Sequence, residues 1–393
     1  MTSSLDAAVP PAVKPIDQER LAWLALALTP GLGPRRILSA VRQVGSTDEI
    51  LQLPLTGLES LRFPAQAVQF IADGQALRAA NDEAEALQKN EGSFLTFNDP
   101  DYPPRLREIF DSPALLWIRG DATLLAQPSI AVVGTRHPTP YGSGMAEMLS
   151  RDLAARGMII LSGMARGVDT AAHKGALAAK GKTIAVWGTG IDVIYPKENK
   201  SLAEQILKNA GTIVSEFPLG TFPAPQNFPK RNRILSGMSV GVLVVEAGEH
   251  SGTRVTARCA LEQNRDVFAV PGNVTTKNAW GPNTLIKQGA KLVATWEDVW
   301  EDLPSQIRLE IESTWEVASQ EQPAASLFEE APLPPAETRI MGVLRRDEAL
   351  QLDEIMEKLE PELSSSEVFT ALFELELAGR IKQLPGKNYV KTF

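Results

Sequence analysis

The fold is decided by the stretch Ile130-Ala131-Val132-Val133-Gly134, which runs directly into Thr135-Arg136-His137-Pro138. A short run that is apolar almost throughout is typical of a strand covered on both faces of a sheet. Six more such runs follow, with helical patterns between most of them. The predicted strands are Ile130–Gly134, Met158–Gly163, Thr183–Gly188, Thr212–Glu216, Val240–Ala247, Val267–Val270 and Lys291–Thr295. The predicted helices are Ser143–Arg156, Thr170–Ala179, Ser201–Asn209, Thr253–Gln263 and Asn283–Gln288. Repeated strand–helix units predict an α/β fold with a doubly wound, mostly parallel sheet over residues 95–303.

Different patterns flank this central region in the 393-residue chain. Residues 1–18 are rich in Pro, Ala and Ser, which predicts a disordered tail. Residues 19–94 are predicted to form short helices, with the turn Gly31-Leu32-Gly33 between two of them. This unit is similar to a helix-hairpin-helix or SAM-like domain. Its turn is either a phosphate-binding loop or a plain connection between helices.

The end of the chain predicts a linker and a further small domain. Residues 304–336 contain acidic and Pro/Ala-rich patches and are interpreted as the linker. Residues 337–393 are predicted to form three helices and a β-hairpin around Pro385-Gly386-Lys387, which is the pattern of a winged helix. This domain has 8 basic and 11 acidic residues from position 336 on, a balance that favours a protein contact or a packing role over DNA binding.

The charge distribution marks the central region as the candidate binder of a polyanion. The whole chain carries a net charge of −9, yet residues 128–290 hold 18 Lys and Arg against 11 Asp and Glu, or +7. Local concentration of positive charge matters more for such binding than the total. The single cysteine, Cys259, fits a reducing cytosol, and with only three histidines a structural zinc site is not expected. No secretion signal and no membrane-spanning run are recognised.

One short segment combines the groups that bind a nucleic acid strand. Phe228-Pro229-Lys230-Arg231-Asn232-Arg233 is interpreted as a loop that leads into a helix at Ile234. Arginine binds phosphate oxygens two at a time, a helix N-terminus offers free N–H groups, and an aromatic ring can stack on a base. The segment therefore predicts a phosphodiester strand as ligand.

The loops after the strands add candidate groups, because ligands of such sheets bind beyond the carboxyl ends of the strands. Arg136 follows the first strand, where the sequence lacks the G-x-G-x-x-G pattern of nicotinamide-cofactor sites. Ser162-Gly163-Met164-Ala165-Arg166-Gly167-Val168-Asp169 follows the second, with Asp169 expected to cap the next helix. On that helix Lys174 is placed to reach a phosphate, and His173 is expected to form a hydrogen bond inside the protein.

The sequence has no recognised catalytic motif and no metal-ligand cluster, so we expect a binding protein that needs no cofactor. Two alternatives stay open. The first is a nucleotide-processing, phosphoribohydrolase-like enzyme that would use Glu246, although the expected glycine-rich loop is missing. The second is a scaffold whose basic cleft serves an acidic protein.

The motifs together resemble those of the DNA-processing protein A family (DprA, also called Smf). Matching segments occur in the same order as in the family, and they are Val132–Arg136, Ser162–His173, Gly188–Pro196, Ser215–Pro218, Asn227–Arg233, Ser251–Thr253 and Val270–Asn273. The helical N-terminal unit and the winged helix match the layout of the family as well. The chain departs from the family at Thr253-Arg254-Val255-Thr256-Ala257, where Ser-Leu-Ile-Thr-Ala is more usual.

The resemblance implies a cytoplasmic protein with a Rossmann-like domain that binds single-stranded DNA without strong sequence preference. It implies help in loading the RecA recombinase onto DNA during natural transformation and recombination. It also implies a homodimer formed through the Rossmann-like domain. Carried over to this chain, the expected DNA contacts are Arg136, Ser162, Gly163, Arg166, Lys174, Phe228, Arg231 and Arg233.

Overall fold

The computed structural model describes residues 16–249, 251–320, 334–345, 349–360, 363–377 and 380–391. The predicted disordered tail lies outside the described residues except for its last three. Six helices come first: α1 (Gln18–Leu28), α2 (Pro34–Val44), α3 (Thr47–Gln52), α4 (Leu55–Ser60), α5 (Ala65–Ala72) and α6 (Gln75–Lys89). Gly31 has φ +76° and Pro34 is the first residue of α2, so the turn between α1 and α2 ends the first helix and starts the second.

A nine-stranded sheet forms the centre of the molecule. Its strands are β1 (Ser93–Thr96), β2 (Leu115–Gly120), β3 (Ser129–Val133), β4 (Ile159–Ser162), β5 (Thr183–Trp187), β6 (Thr212–Ser215), β7 (Gly241–Val244), β8 (Asp266–Ala269) and β9 (Lys291–Leu292). They lie in the order β1-β2-β6-β5-β4-β3-β7-β8-β9. The seven predicted strands are β3 to β9 and all pair in parallel, which confirms the predicted doubly wound sheet.

Two strands were not predicted, and they extend the sheet at one edge. β2 pairs antiparallel with β6, and β1 pairs antiparallel with β2. The N-terminal helices pack against this part of the sheet, since Trp23 and Leu87 share a buried cluster with Trp117 and Ile213. The helical unit and the sheet are therefore joined by one continuous core.

Helices cover both faces of the sheet, as repeated crossover connections require. They are α7 (Pro104–Arg107), α8 (Pro140–Ala154), α9 (Val168–Ala178), α10 (Lys200–Lys208), α11 (Asn227–Met238), α12 (Thr253–Glu262), α13 (Trp280–Lys287), α14 (Trp296–Glu301) and α15 (Ser305–Gln320). Leu149 of α8 and Ala172 of α9 pack on one face, and Leu235 of α11 and Ala260 of α12 pack on the other. The β3–β7 pair is where the strand order reverses, and this is the edge at which such sheets bind ligands.

The segment interpreted as a linker begins with a helix. α15 occupies residues 305–320, and its Ile311 is buried in the core that α8 and α9 form against the sheet. Residues 321–333 of the expected linker lie outside the described residues.

The C-terminal unit has the predicted winged-helix elements. Its helices are α16 (Pro335–Val343), α17 (Leu352–Leu359) and α18 (Ser365–Leu377), and its strands are β10 (Leu350–Gln351), β11 (Ile381–Leu384) and β12 (Asn388–Lys391). The strands lie in the order β10-β12-β11, and the unit has its own buried cluster around Ile340, Ile355 and Leu375. Over the described residues, no helix is both long enough and apolar enough to pass through a lipid bilayer.

Candidate functional site

A large cleft opens at the carboxyl end of the parallel strands. It contains about 1900 Å³ of empty space and is lined by the loops after β3, β4 and β7 and by the start of α11. A smaller recess of about 450 Å³ shares Arg136, Phe228 and Arg231 with this cleft and is closed by Arg166 and Trp187. Asp169 is the only acidic residue among the described side chains that line the two spaces. The site is therefore basic, as the charge count of the central region predicts.

The segment interpreted as a loop is helical. α11 begins at Asn227, so Phe228 to Arg233 form its first two turns, and the predicted helix start at Ile234 is wrong. Pro229 is the third residue of this helix. Proline is tolerated in the first turn because the N–H that it lacks would have no partner there. As a result, side chains two positions apart point in directions that differ by about 200° around the helix axis.

Phe228 is the aromatic surface of the cleft. Its ring centroid lies 5.7 Å from that of Tyr195, and the Arg136 guanidinium lies 5.7 Å from the Phe228 centroid. Gly188 makes room for this ring, since a Cβ at that position would lie 3.0 Å from a Phe228 ring carbon. Arg136 itself is exposed and forms no direct ion pair within the described residues, although it lies close enough to Asp169 to lower the pKa of that carboxyl against the larger effect of burial. The ring and the guanidinium thus form a half-open platform.

Arg231 lies beneath this platform and is almost completely buried. Its Nη1 donates to the carbonyl oxygen of Val186 at 2.8 Å, and the side chain packs directly over Gly163. A Cβ on residue 163 would lie 1.6 Å from Nη1, so any larger residue there requires the Arg231 side chain to move. Burial lowers the pKa of Arg231, and the Asp169 carboxylate opposes that effect. Because Arg136 also lies close enough to Asp169 to lower the pKa of that carboxyl, against the larger effect of burial, two guanidinium groups share one carboxylate and a net positive charge remains at the floor of the cleft.

The loop after β4 is held by its own hydrogen bonds. Ser162 is fully buried and donates its hydroxyl to the carbonyl oxygen of Val132 at 2.7 Å, so its side chain joins two strands instead of facing the cleft. Asp169 lies inside α9 after the N-cap Gly167, and the expectation that it caps the helix is wrong. Its Oδ2 accepts from the N–H groups of Gly163 at 3.1 Å and Ala165 at 3.2 Å. Both residues shape the loop that carries Arg166.

Arg166 lines the recess from an exposed position. Its guanidinium donates to the carboxylate of Glu198, and both side chains are more than half exposed. Exposed ion pairs contribute about 0–1 kcal/mol, so a phosphate can displace Glu198 at low cost.

Three expected contacts line neither space, and Ser162, described above, is one of them. Lys174 is exposed on α9 but lines neither space. Arg233 forms ion pairs with Glu216 at 2.5 Å and with Asp111 at 3.0 Å. Because Arg233 follows Arg231 by two positions on a helix, it faces the opposite side of α11. The structure therefore brings together Arg136, Gly163, Arg166, Phe228 and Arg231, but not Ser162, Lys174 or Arg233.

Other polar residues near the cleft are engaged inside the protein. His173 is fully buried, and its Nδ1 lies 2.7 Å from Thr183 Oγ1, which confirms the predicted internal hydrogen bond. Burial lowers the pKa of His173 to about 3, so the ring is neutral at physiological pH. Glu246 is buried and accepts from the Thr139 N–H at 2.9 Å and the Thr139 hydroxyl at 2.5 Å. Both side chains are therefore held by hydrogen bonds within the protein.

Two aromatic residues of the recess were not predicted as site residues. Trp187 ends β5 and Tyr195 precedes Pro196, and both line the recess beside Phe228. Their position at the end of the third predicted strand, Thr183–Gly188, and in the loop that follows it was the available signal, because ligands of such sheets bind there.

The chain matches known protein families over most of its length. Residues 93–304 match the model of the DNA recombination-mediator protein A family, and residues 321–387 match the DprA winged helix domain. Protein Smf of Escherichia coli K12 is 42% identical over 290 residues, which cover 74% of this chain and 75% of that protein. DNA processing protein DprA of Bacillus subtilis 168 is 44% identical over 211 residues, or 53% of this chain and 71% of that one. The X-ray structure of DprA from Streptococcus pneumoniae has a TM-score of 0.62 and 34% identity, covering 74% of this chain and 99% of that chain.

Proposed function

The chain belongs to the DNA recombination-mediator protein A family, and on that premise we propose that its cleft binds single-stranded DNA without strong sequence preference. The observation that carries this proposal is the Phe228 ring, which lies beside the Arg136 guanidinium and above the buried Arg231. A half-open aromatic ring between cations offers one face to a base and positive charge to the phosphates on either side.

Each group has a defined part in the proposed complex. Arg136 and Arg166 are exposed and bind phosphate oxygens, whereas the buried Arg231 supplies positive potential and fixes the floor of the site. A base stacks on Phe228, which every base can do because each has a π face. Gly163 contributes by the space it leaves for Arg231. Phosphate contacts and stacking carry little sequence information, which accounts for the proposed tolerance.

The biological setting is proposed from the family. We infer that the protein helps to load RecA onto single-stranded DNA, in natural transformation and recombination in the cytoplasm, and acts as a homodimer through its Rossmann-like domain. The support is family membership together with the DNA-processing names of its relatives.

The proposed role is binding and not catalysis. The phosphoribohydrolase-like alternative needs a free carboxylate, and Glu246 instead ties the loop after β7 to Thr139. The structure supplies no observation that favours the alternative.

A salt series with single-stranded and double-stranded DNA tests the proposal. Affinity for an oligothymidylate should fall with salt, with a slope of about −0.7 for each phosphate neutralised. Arg136→Ala should reduce both the affinity and the slope, whereas Arg42→Ala, which removes an exposed charge from α2, should change neither. Salt-independent binding, or a preference for the duplex, would contradict the proposal.

A further inference from the structure

A second aromatic–cation pair lies on the surface, outside the cleft. The Phe110 side chain is 79% exposed, the largest exposed fraction among the phenylalanines that the structure describes. The guanidinium of Arg35, in the first turn of α2, stacks on this ring at 4.0 Å from its centroid. The guanidinium covers one face of the ring, and the large exposed fraction of Phe110 leaves the rest of the ring open to solvent.

The exposure of Phe110 is imposed by well-fixed neighbours. Ile109 is buried and packs near Gly237 of α11. The Ser112 hydroxyl, two residues after Phe110, donates to the carbonyl oxygen of Leu106 and closes the turn that contains the phenylalanine. The Phe110 ring is therefore exposed to solvent on a turn that is fixed by packing and by a hydrogen bond.

An ion pair joins the Phe110 turn to the side of α11 that faces away from the cleft. Asp111, next to Phe110, pairs at 3.0 Å with Arg233, which faces away from the cleft on α11. The turn that holds Phe110 therefore contacts the side of α11 opposite Arg231, and a helix with its side chains is about 10–12 Å across. That distance can be crossed by a strand that leaves the Phe228 platform and continues around α11.

The charges along this route do not repel a strand. Arg233 pairs with both Asp111 and the largely buried Glu216, and Arg265 pairs with Glu108, which is exposed two residues before Phe110. Lys230, exposed on the same helix, also lies close enough to lower the pKa of Glu216, against the larger opposite effect of burial. The charges of Asp111 and Glu216 are thus matched by those of Arg233 and Lys230. Arg35 adds a further positive charge beyond them.

We propose that the Arg35–Phe110 pair is a second contact for single-stranded DNA, reached by the strand after it passes α11. A base stacks on the open face of Phe110, and Arg35 donates to the adjacent phosphate. This inference rests on the proposed function of the cleft and assigns the helical N-terminal unit a part in binding the same strand.

Affinity measured against strand length tests the pair separately from the cleft. The full-length protein is titrated, by fluorescence anisotropy, with oligothymidylates of about 6 to about 30 nucleotides. Phe110→Ala should leave the shortest strand unaffected and weaken the longest by about tenfold, the range expected for loss of one stacked base. Phe110→Tyr should bind like the unmodified protein because it keeps the ring. Arg35→Ala should weaken long strands only, whereas Arg42→Ala, on the same helix, should weaken none.

The outcomes separate the two proposals. If Arg136→Ala weakens every length and Phe110→Ala none, the cleft is supported and the second contact is refuted. An equal loss at all lengths for Phe110→Ala would also refute it, because the short strand should not reach the ring. If the unmodified protein binds no strand, the proposed function itself fails. Equal thermal midpoints of the Phe110 variants and the unmodified protein would show that the substitutions leave the fold intact.

Discussion

Replacing Gly163 by alanine is the sharpest perturbation of the proposed site, because it displaces Arg231 without altering any charge. The new Cβ would lie 1.6 Å from Arg231 Nη1, whereas an ordinary contact is 3.4 Å or more. The guanidinium must therefore withdraw by about 2 Å, the difference between these distances. Its hydrogen bond to the Val186 carbonyl, 2.8 Å long, cannot survive that movement.

The expected magnitude follows from the lost interaction. A hydrogen bond from a charged donor contributes about 1.5–3 kcal/mol, so Gly163→Ala should reduce the free energy of unfolding by about that amount. The same displacement removes the fixed positive charge from the floor of the cleft. We expect the affinity for single-stranded DNA to fall by about tenfold to a hundredfold, the equivalent of one charged contact.

The assay is a double-mutant cycle read by fluorescence anisotropy with a labelled oligothymidylate. Because Gly163→Ala and Arg231→Ala disable the same guanidinium, the double variant should bind no more weakly than Arg231→Ala alone. Gly252→Ala is the matched control, since Gly252 also lines the cleft but a Cβ there meets nothing within 4 Å. Unchanged binding by Gly163→Ala, or losses that add in the double variant, would refute the role given to Arg231.

Three further predictions address stacking, shielding and pH. Phe228→Ala should weaken oligomers of T, A and C alike by about 1–3 kcal/mol in titrations, while Phe228→Tyr keeps most of the affinity; a loss confined to one base would contradict simple stacking. Arg233→Ala should lower the free energy of urea unfolding by about 3 kcal/mol, because Glu216 and Asp111 lose their partner, yet leave binding of a short strand unchanged. For His173, the neutral ring is favoured in the folded state, so stability is complete above the unfolded pKa of 6.5 and is lost as pH falls toward about 3. Urea unfolding across that window should show a decline of about 1.4 kcal/mol per pH unit that His173→Gln removes; an unchanged slope in that variant would refute the assignment.

The parallel strands could be predicted because a strand buried on both faces has an almost continuous run of apolar residues. β3 reads Ser-Ile-Ala-Val-Val and all five of its residues are buried, so no other element fits so short an apolar run. β1 and β2 escaped prediction for the opposite reason. They are antiparallel additions without a crossover helix, and β2 ends in the more exposed Arg119-Gly120, so the strand–helix alternation that identified the others is absent.

The site was predicted only as far as backbone topology determines it. Arg136, Gly163 and Arg166 follow β3 and β4 directly, and parallel strands bring their carboxyl ends to one edge. Side chains on helices depend instead on rotation. Once Phe228 to Arg233 are helical, about 100° per residue sends Arg231 to the cleft and Arg233 to the opposite side, which a list of nearby cations does not reveal. Rotation along α9 likewise places Lys174 on the solvent side, outside the cleft, because its neighbour His173 is the residue that faces the core.

The difference between Arg231 and Arg233 explains how an acidic protein can hold a polyanion. Arg233 is stabilised by two carboxylates and so adds no net positive charge to its surroundings. Arg231 and Arg136 instead share one carboxylate, Asp169, since each of them lowers its pKa against the larger effect of burial, and the two cations therefore leave one positive charge uncompensated. Net potential in the cleft therefore depends on which cations are left uncompensated, and this arrangement is compatible with any total charge on the chain. The same reasoning makes Arg136 and Arg231, not the more numerous surface lysines, the residues that should dominate the salt dependence of binding.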